Sequence, residues 1–159
     1  IARDAYRPPV WAGEQRRGTF AKLAILSQVQ FEVVVFVDND CRAIQNIDHL
    51  ARTPTPSFVF AAQDNGLNSG VMVIKPSIKD AQMAARIIAS PFAPLRWIWS
   101  KGFDAAAAAA AAAATGGRSD ATDQEVWTAL YNAHNVSVFE LPTQYNFRWH
   151  LLMSHAQRC

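Results

Sequence analysis

The sequence predicts an α/β domain with a mostly parallel central sheet flanked by helices. Strand-like runs alternate with segments in which apolar residues recur at helical spacing, a pattern typical of strand–helix–strand units. The run from Phe31 to Val37 is almost continuously apolar, as expected for a strand that is buried on both faces between helices. With 159 residues, 50% of them apolar, the chain is long enough to bury the core of one domain.

The other elements are bounded by prolines, glycines or a helix cap. In the predicted helices one face is apolar, and the predicted strands are rich in Val, Ile and Phe. In chain order we predict a helix at 20–30, the strand at 31–37, a short helix at 45–52, strands at 57–62 and 71–74, a helix at 77–90, a helix from 122 to about 132 and a strand at 136–139.

The predicted helix that begins at Thr122 has the clearest start. Thr122 and Glu125 have the spacing of a capping box, in which each side chain binds the backbone amide of the other residue. Asp123 and Gln124 would then lie in the first turn of this helix.

The domain organisation follows from these elements. We expect a polar lead-in loop at 1–18, a partial domain at 19–150 and a tail at 151–159. The low-complexity run Ala105–Ala114 is interpreted as an insert within the domain.

Composition excludes several classes of partner. The net charge is +2, and the sequence has no block of basic residues of the kind that nucleic-acid binders carry. No stretch reaches the ~18 consecutive apolar residues of a membrane span. Cys41 and Cys159 form no CxxC pair, and we interpret Cys41 as a structural thiol. We therefore expect neither nucleic acid nor a membrane-spanning segment.

Two carboxylates, Asp38 and Asp40, follow the predicted strand at 31–37. Ligands of open α/β sheets bind beyond the carboxyl ends of the strands. An Asp-x-Asp pair there can supply oxygen ligands to Mn²⁺ or Mg²⁺, and such a metal can neutralise a departing diphosphate. Aspartate after a strand is also a common turn residue and helix cap, so the pair by itself leaves the function open.

Further motifs accompany this pair in a fixed order. They are Lys22 on a predicted helix, the apolar strand with Asp38-Asn39-Asp40, Asn46-Ile47-Asp48-His49-Leu50, Asn68-Ser69-Gly70-Val71 at the start of a strand, Asp123-Gln124 at the start of a helix, and Leu141-Pro142-Thr143-Gln144-Tyr145-Asn146. In their order and spacing these motifs resemble glycosyltransferase family 8, the group that includes glycogenin and galactinol synthase.

The resemblance implies a GT-A, Rossmann-like fold and the transfer of a sugar, with retention of configuration, from a nucleotide diphosphate sugar. The donor would be a UDP-sugar, and the acceptor a glycan, a protein or a small polyol. By resemblance, the metal ligands are Asp38 and Asp40, the residues near the donor or acceptor are Lys22, Asp38, Asn68, Ser69 and Gly70, and the residues at the reacting carbon are Asp123 and Gln124.

The chain also departs from the family. The strand and helix that begin the family's domain and hold the nucleotide base have no counterpart before residue 19. The family's third metal ligand is a histidine in a motif that this sequence lacks, and we do not transfer that role to His150. We therefore expect a domain truncated at both ends.

Other interpretations stay open. The chain could be a non-catalytic remnant of such a domain that acts as a binding or interaction module. Phosphatases of the haloacid dehalogenase type also have Asp-x-Asp after an apolar strand, but they have Thr or Val where this chain has Arg42. Each site residue also has a structural alternative: Asp123 as a partner of the helix dipole, Asn68 to Gly70 as a turn, and Lys22 as a surface charge.

Overall fold

The computed structural model describes residues 14–61, 66–89 and 122–146, which contain both strands and helices. Segments rich in Val and Phe form the strands, because β-branched and aromatic side chains fit a pleated surface. The strands are β1 (Val34–Val37), β2 (Ser57–Ala61), β3 (Gly66–Ile74) and β4 (Phe139–Leu141), the α-helices are α1 (Ile78–Ala89) and α2 (Asp123–Ala133), and 3₁₀ helices cover Glu14–Ser27, Asp48–Arg52 and Thr143–Asn146.

The described strands form one sheet in the order β1-β3-β2-β4. β3 runs antiparallel to β1 and to β2, whereas β2 and β4 are parallel. The mixed content of strands and helices is compatible with the predicted α/β class, but the prediction of a mostly parallel sheet is wrong for the described residues. β2 ends at Ala61 and β3 begins at Gly66. So short a connection joins antiparallel neighbours, because parallel strands need a crossover of roughly a dozen or more residues.

β1 differs from the strand that the sequence predicts. It is shorter, it lies at the edge of the described sheet, and its residues are half-buried. Phe31, at the start of the predicted strand, is 55% exposed. The apolar run is nevertheless compatible with an edge strand, because Val34 and Phe36 contact one apolar cluster and Val35 and Val37 contact another.

The two α-helices lie within one residue of their predicted bounds, and the capping box of α2 is present. Their signals are local, since a cap and an apolar stripe fix a helix without reference to distant residues. Trp127, Leu130 and Tyr131 of α2 are buried, as predicted.

Other bounds differ from their predictions. A 3₁₀ helix covers Glu14–Ser27, so the predicted lead-in loop is wrong for residues 14–18 and the predicted helix at 20–30 ends early. β3 begins five residues before the predicted strand, and β4 begins at Phe139, where the predicted strand ends. In the described part of the chain, no helix has the length and apolar character that a membrane span requires.

Some predicted features lie outside the described residues. They are the first part of the lead-in at 1–13, the alanine run at 105–114, His150 and the tail at 151–159.

Apolar residues form a cluster on each face of the sheet. Because side chains alternate along a strand, neighbouring residues of β1 point to opposite faces. The larger cluster joins the first 3₁₀ helix, α1 and α2 to the sheet and includes Phe20, Leu23, Phe58, Met72, Ile74, Val126 and Trp127. The smaller cluster contains Leu50, Val59, Val71, Val73 and Leu141, with Cys41 and Tyr145 packed against it.

β3 carries an irregularity in its pairing with β2. Phe58 pairs with Met72, but the next residue, Val59, pairs with Asn68. The intervening residues of β3, 69–71, therefore have no partner on β2. Bulges of this kind are common beside functional sites, where they change the direction of a side chain.

Candidate active site

An open cleft of about 700 Å³ lies at the carboxyl end of β1, next to the bulge of β3. Predominantly polar side chains line it, and they come from the first 3₁₀ helix, the loop after β1, β3, α2 and the last 3₁₀ helix. All the predicted site residues line this cleft: Lys22, Asp38, Asp40, Asn68, Ser69, Gly70, Asp123 and Gln124. The structure thus brings the predicted residues together, while the chemical roles assigned to them stay predictions.

One side of the cleft is a charged cluster, which we define as Lys22, Asp38, Ser69 and Asp123. The Lys22 Nζ atom lies 2.5 Å from Asp38 Oδ2 and 3.3 Å from Ser69 Oγ. It also lies 5.7 Å from the centre of the Phe36 ring, a cation–π distance. The Lys22 side chain is only 14% exposed, so this lysine is not a solvated surface charge.

Asp123 is the most buried carboxylate of the charged cluster, with 1% of its surface exposed. Burial raises the pKa of Asp123, while hydrogen bonding to Ser69, the charge of Lys22 and hydrogen bonding to Thr19 oppose this rise. The Oδ2 atom of Asp123 is buried and has no hydrogen-bond partner in the described part of the chain. A buried polar atom without a hydrogen bond is rare and costs folding free energy, which makes Oδ2 a candidate contact for a ligand.

The start of α2 fixes Asp123 and Gln124 in the cleft. The Thr122 hydroxyl accepts a hydrogen bond from the Gln124 backbone amide at 3.2 Å, and the Thr122 amide donates to Glu125 Oε2 at 2.6 Å. The Asp123 amide donates to Thr19 Oγ1 at 3.4 Å, which ties α2 to the first 3₁₀ helix. The helix-dipole position of Asp123 and its place in the cleft are therefore compatible.

The other side is an amide cluster, which we define as Asn68, Gly70, Asn146 and Cys41. Asn68 Oδ1 accepts from the Gly70 backbone amide at 2.8 Å and from Asn146 Nδ2. The Cys41 thiol lies 3.7 Å from Asn146 Oδ1 and 4.0 Å from the Gly70 carbonyl. The predicted turn at 68–70 is thus closed by an Asx-type hydrogen bond from the Gly70 amide to the Asn68 side chain, and it lies within the bulge of β3.

Gly70 is required where the amide cluster is most closely packed. A Cβ atom at this position would lie 2.5 Å from Asn146 Nδ2 and 3.0 Å from Asn68 Oδ1. The Gly70 carbonyl accepts from the Asp38 amide at 2.8 Å, so the same residue connects the amide cluster to the Asp-x-Asp loop.

The Asp-x-Asp loop contributes both carboxylates and Cys41 to the cleft. Asp40 is exposed, and its Oδ1 atom lies 3.8 Å from the Cys41 sulfur. Burial and the negative charges of Asp40 and Asp38 raise the pKa of the Cys41 thiol. A raised thiol pKa disfavours the thiolate, which agrees with the interpretation of Cys41 as a structural residue.

The described residues of the cleft fit a divalent metal site of one type. Among the described residues, no three side chains of His, Cys, Asp or Glu converge as a ligand set. Asp38 and Asp40 can instead hold an ion that completes its shell with waters and substrate phosphates, as Mg²⁺ usually does. Asp38 can take part through its second oxygen, since Lys22 contacts Oδ2.

The Asn46-to-Leu50 motif supports the cleft from outside. Asn46 Oδ1 accepts from the Asp48 amide at 2.8 Å, and the His49 ring nitrogen lies 2.6 Å from the Tyr145 hydroxyl. The second contact connects the 3₁₀ helix after the Asp-x-Asp loop with the last 3₁₀ helix, which carries Asn146. Neither Asp48 nor His49 lines the cleft.

Sequence reasoning missed several residues that line the cleft. Asn146 was part of a recognised motif, and Thr122 was recognised as a cap, but neither had a place in the site. Gln144 belongs to the same motif as Asn146, whereas Thr19 and Ile44 gave no signal, because their positions depend on the packing of separate segments. The lining residues outside the predicted set are Thr19, Cys41, Arg42, Ile44, Thr122, Gln144, Tyr145 and Asn146.

No protein-family model matches this chain, and no curated protein matches it significantly. A function is therefore inferred from the residues of the cleft and from the ordered motifs to which they belong.

Proposed function

We propose that the protein transfers a glycosyl group from a nucleotide diphosphate sugar, a UDP-sugar, to a hydroxyl-bearing acceptor, with Mn²⁺ or Mg²⁺ as cofactor. The observation that carries the proposal is the meeting of two carboxylates, Asp38 and Asp40, with the buried carboxylate of Asp123 in one polar cleft. Support also comes from the ordered motifs that resemble glycosyltransferase family 8.

Asp38 and Asp40 would hold the divalent ion, whose chemistry is to neutralise the negative charge of the diphosphate that leaves. Lys22 adds positive charge beside Asp38 on the same side of the cleft. The ammonium group of Lys22 can then bind a substrate phosphate, so no cation beyond the divalent ion is needed. The exposed Asp40 is accessible from solvent, so substrate and ion can enter together.

Asp123 would face the reacting carbon of the sugar. Positive charge develops on that carbon during transfer, and a carboxylate fixed beside it stabilises the transition state. The hydrogen-bond partners of Asp123, Ser69 and Thr19, hold it in place before the substrate binds, so no reorganisation is needed. Gln124, in the same helical turn, offers a neutral amide to a sugar hydroxyl.

The test is calorimetric titration of the full protein with UDP, UDP-glucose and UDP-galactose, with and without Mn²⁺. We expect the metal to increase nucleotide affinity at least about tenfold, which corresponds to ~1.4 kcal/mol of binding free energy. Asp40→Asn should lose this increase. Asp48→Asn is the matched control, because Asp48 is exposed and lies outside the cleft.

Equal affinity with and without metal would contradict the proposal. Nucleotide binding without release of UDP from any UDP-sugar would favour the non-catalytic interpretation. Release of phosphate from a simple phosphate monoester, without any binding of UDP, would instead favour the phosphatase interpretation.

A further inference from the structure

The amide cluster has a fixed direction of hydrogen bonding. A backbone amide can only donate, so the Asn68 atom 2.8 Å from the Gly70 nitrogen must be the oxygen, Oδ1. Asn146 contacts the same oxygen, and it must therefore present its own NH₂ group there. The orientation of both side-chain amides thus follows from one backbone group.

The other end of each amide is then determined. The Asn146 oxygen faces the Cys41 thiol at 3.7 Å, a contact in which the S–H group is the donor. The Asn68 NH₂ group makes no hydrogen bond to another described residue, and Asn68 lines the cleft. Asn68 is only 3% exposed, so its side chain is well packed.

We propose that Asn146 is a positioning residue that holds the Asn68 amide with its NH₂ group free for a substrate oxygen, a hydroxyl of the transferred sugar. This inference rests on the proposed function for the identity of the substrate, but the orientation of the two amides does not depend on it. A hydroxyl suits this side of the cleft because the amide cluster carries no formal charge, whereas a phosphate suits the ammonium group of Lys22.

Gly70 and Cys41 belong to the same arrangement. Gly70 supplies the donor that fixes Asn68, and its missing side chain leaves the space that Asn146 occupies. Both Asn68 oxygen lone pairs are used in this way, by Gly70 and by Asn146. If the Asn68 amide were rotated by half a turn, its NH₂ group would face the Gly70 N–H group and the Asn146 NH₂ group. Donors would then oppose donors, which is unfavourable.

The first experiment needs no substrate. In ¹⁵N-labelled protein, nuclear Overhauser effects to the Gly70 backbone protons should be stronger from the side-chain NH₂ protons of Asn146 than from those of Asn68. The reverse order, with the Asn68 NH₂ protons nearer to the Gly70 amide proton, would overturn the proposed orientation whatever the function of the protein.

The second experiment tests positioning with UDP and a UDP-sugar as separate probes. Asn146→Asp keeps the shape of the side chain but opposes two oxygens, so the UDP-sugar should bind at least tenfold more weakly while UDP binds within twofold of wild type. Asn132→Asp is the matched control, because Asn132 is exposed on α2 and undergoes the same charge change. A purely structural defect would weaken both probes equally and would overturn the proposal.

A double-mutant cycle decides whether Asn146 acts through Asn68. If it does, Asn68→Ala combined with Asn146→Asp should bind the UDP-sugar no more weakly than Asn68→Ala alone, because the partner is already absent. Additive losses would contradict the proposal. If wild type binds neither probe, the proposed function fails, and the nuclear Overhauser measurement still decides the orientation of the amides.

Discussion

The two sides of the cleft are built from different chemistry. In the charged cluster, Lys22 pairs with Asp38 at 2.5 Å, and Asp123 is buried with one oxygen that no described residue hydrogen-bonds. In the amide cluster, neutral groups share their hydrogen bonds, and Asn68 Oδ1 has two donors. One side therefore holds opposed charges that a ligand can rearrange, whereas the other holds a fixed neutral donor.

The difference follows from what lies behind each side. Lys22 and Asp123 are on helices that pack against the larger apolar cluster, which lowers the local dielectric and makes charge interactions stronger. Cys41 and Asn146 lie beside the smaller cluster, where the bulge of β3 leaves backbone groups to bind side-chain amides. A cleft of this type can separate the recognition of a charged group from that of a neutral one. Four substitutions test the comparison.

The largest expected effect is that of Lys22→Met. The substitution leaves the half-buried Asp38 carboxylate without its ammonium partner, and we expect the free energy of unfolding to fall by about 3 kcal/mol. Urea denaturation measures this change. The exchange of the Asn146 side-chain amide should stay as in wild type, because the amide cluster has no charge to lose.

Lys79→Met is the matched control, since Lys79 is exposed on α1. An equal loss of stability for the two variants would show that the Lys22 pair contributes no more than a surface charge.

Gly70→Ala should damage the amide cluster instead. The new Cβ atom would lie 2.5 Å from Asn146 Nδ2, so Asn146 must move, and overpacking of this kind costs about 2 kcal/mol. We expect a lower urea midpoint together with faster exchange of the Asn146 side-chain amide. Gly18→Ala provides the comparison, because no described residue outside the adjoining backbone lies within 4 Å of a Cβ atom at Gly18. Unchanged amide exchange in Gly70→Ala would contradict the described packing.

Asp123→Asn should stabilise the protein at neutral pH, by about 1 kcal/mol, while it abolishes the proposed transfer. Burial raises the pKa of Asp123 in the folded state, so the folded state binds this proton more tightly than the unfolded state. The wild-type free energy of unfolding therefore falls as pH rises from the ordinary aspartate pKa through the raised one, and stays low above it.

The variant has no titratable carboxyl group at this position. The difference in the free energy of unfolding between the two proteins should therefore be absent at acid pH and appear as the pH rises. Thermal unfolding across a pH series measures it. Asp48→Asn, at an exposed site, should show no such divergence from wild type. A variant that is less stable than wild type at neutral pH would show that the charged form of Asp123 is well stabilised in the fold.

Thr122→Ala has the smallest expected effect, a loss of about 1 kcal/mol from the missing helix cap. Because this cap fixes the start of α2, the charged cluster should loosen while the amide cluster does not. Thr128→Ala, in the same helix, removes only a hydroxyl that donates to the Gln124 carbonyl, and it should cost less. Equal losses for the two variants would mean that the cap does not position Asp123.

The sequence by itself determined the elements whose signals are local. The capping box of Thr122 and Glu125 fixed the start of α2, and apolar spacing fixed α1, because both depend on residues a few positions apart. The site residues predicted from the ordered motifs all line the cleft. That they meet in one place depends on the packing of separate segments.

Tertiary structure decided the rest. The direction of β3 and the edge position of β1 depend on backbone hydrogen bonds between strands that are distant in the sequence, and an apolar run looks the same in either direction. The bulge at 69–71 depends on how β2 and β3 pair. The contact of Asn146 with Asn68 joins residues 78 positions apart, and Thr19 reaches Asp123 across 104 positions. No local pattern encodes such contacts, because packing alone brings these segments together.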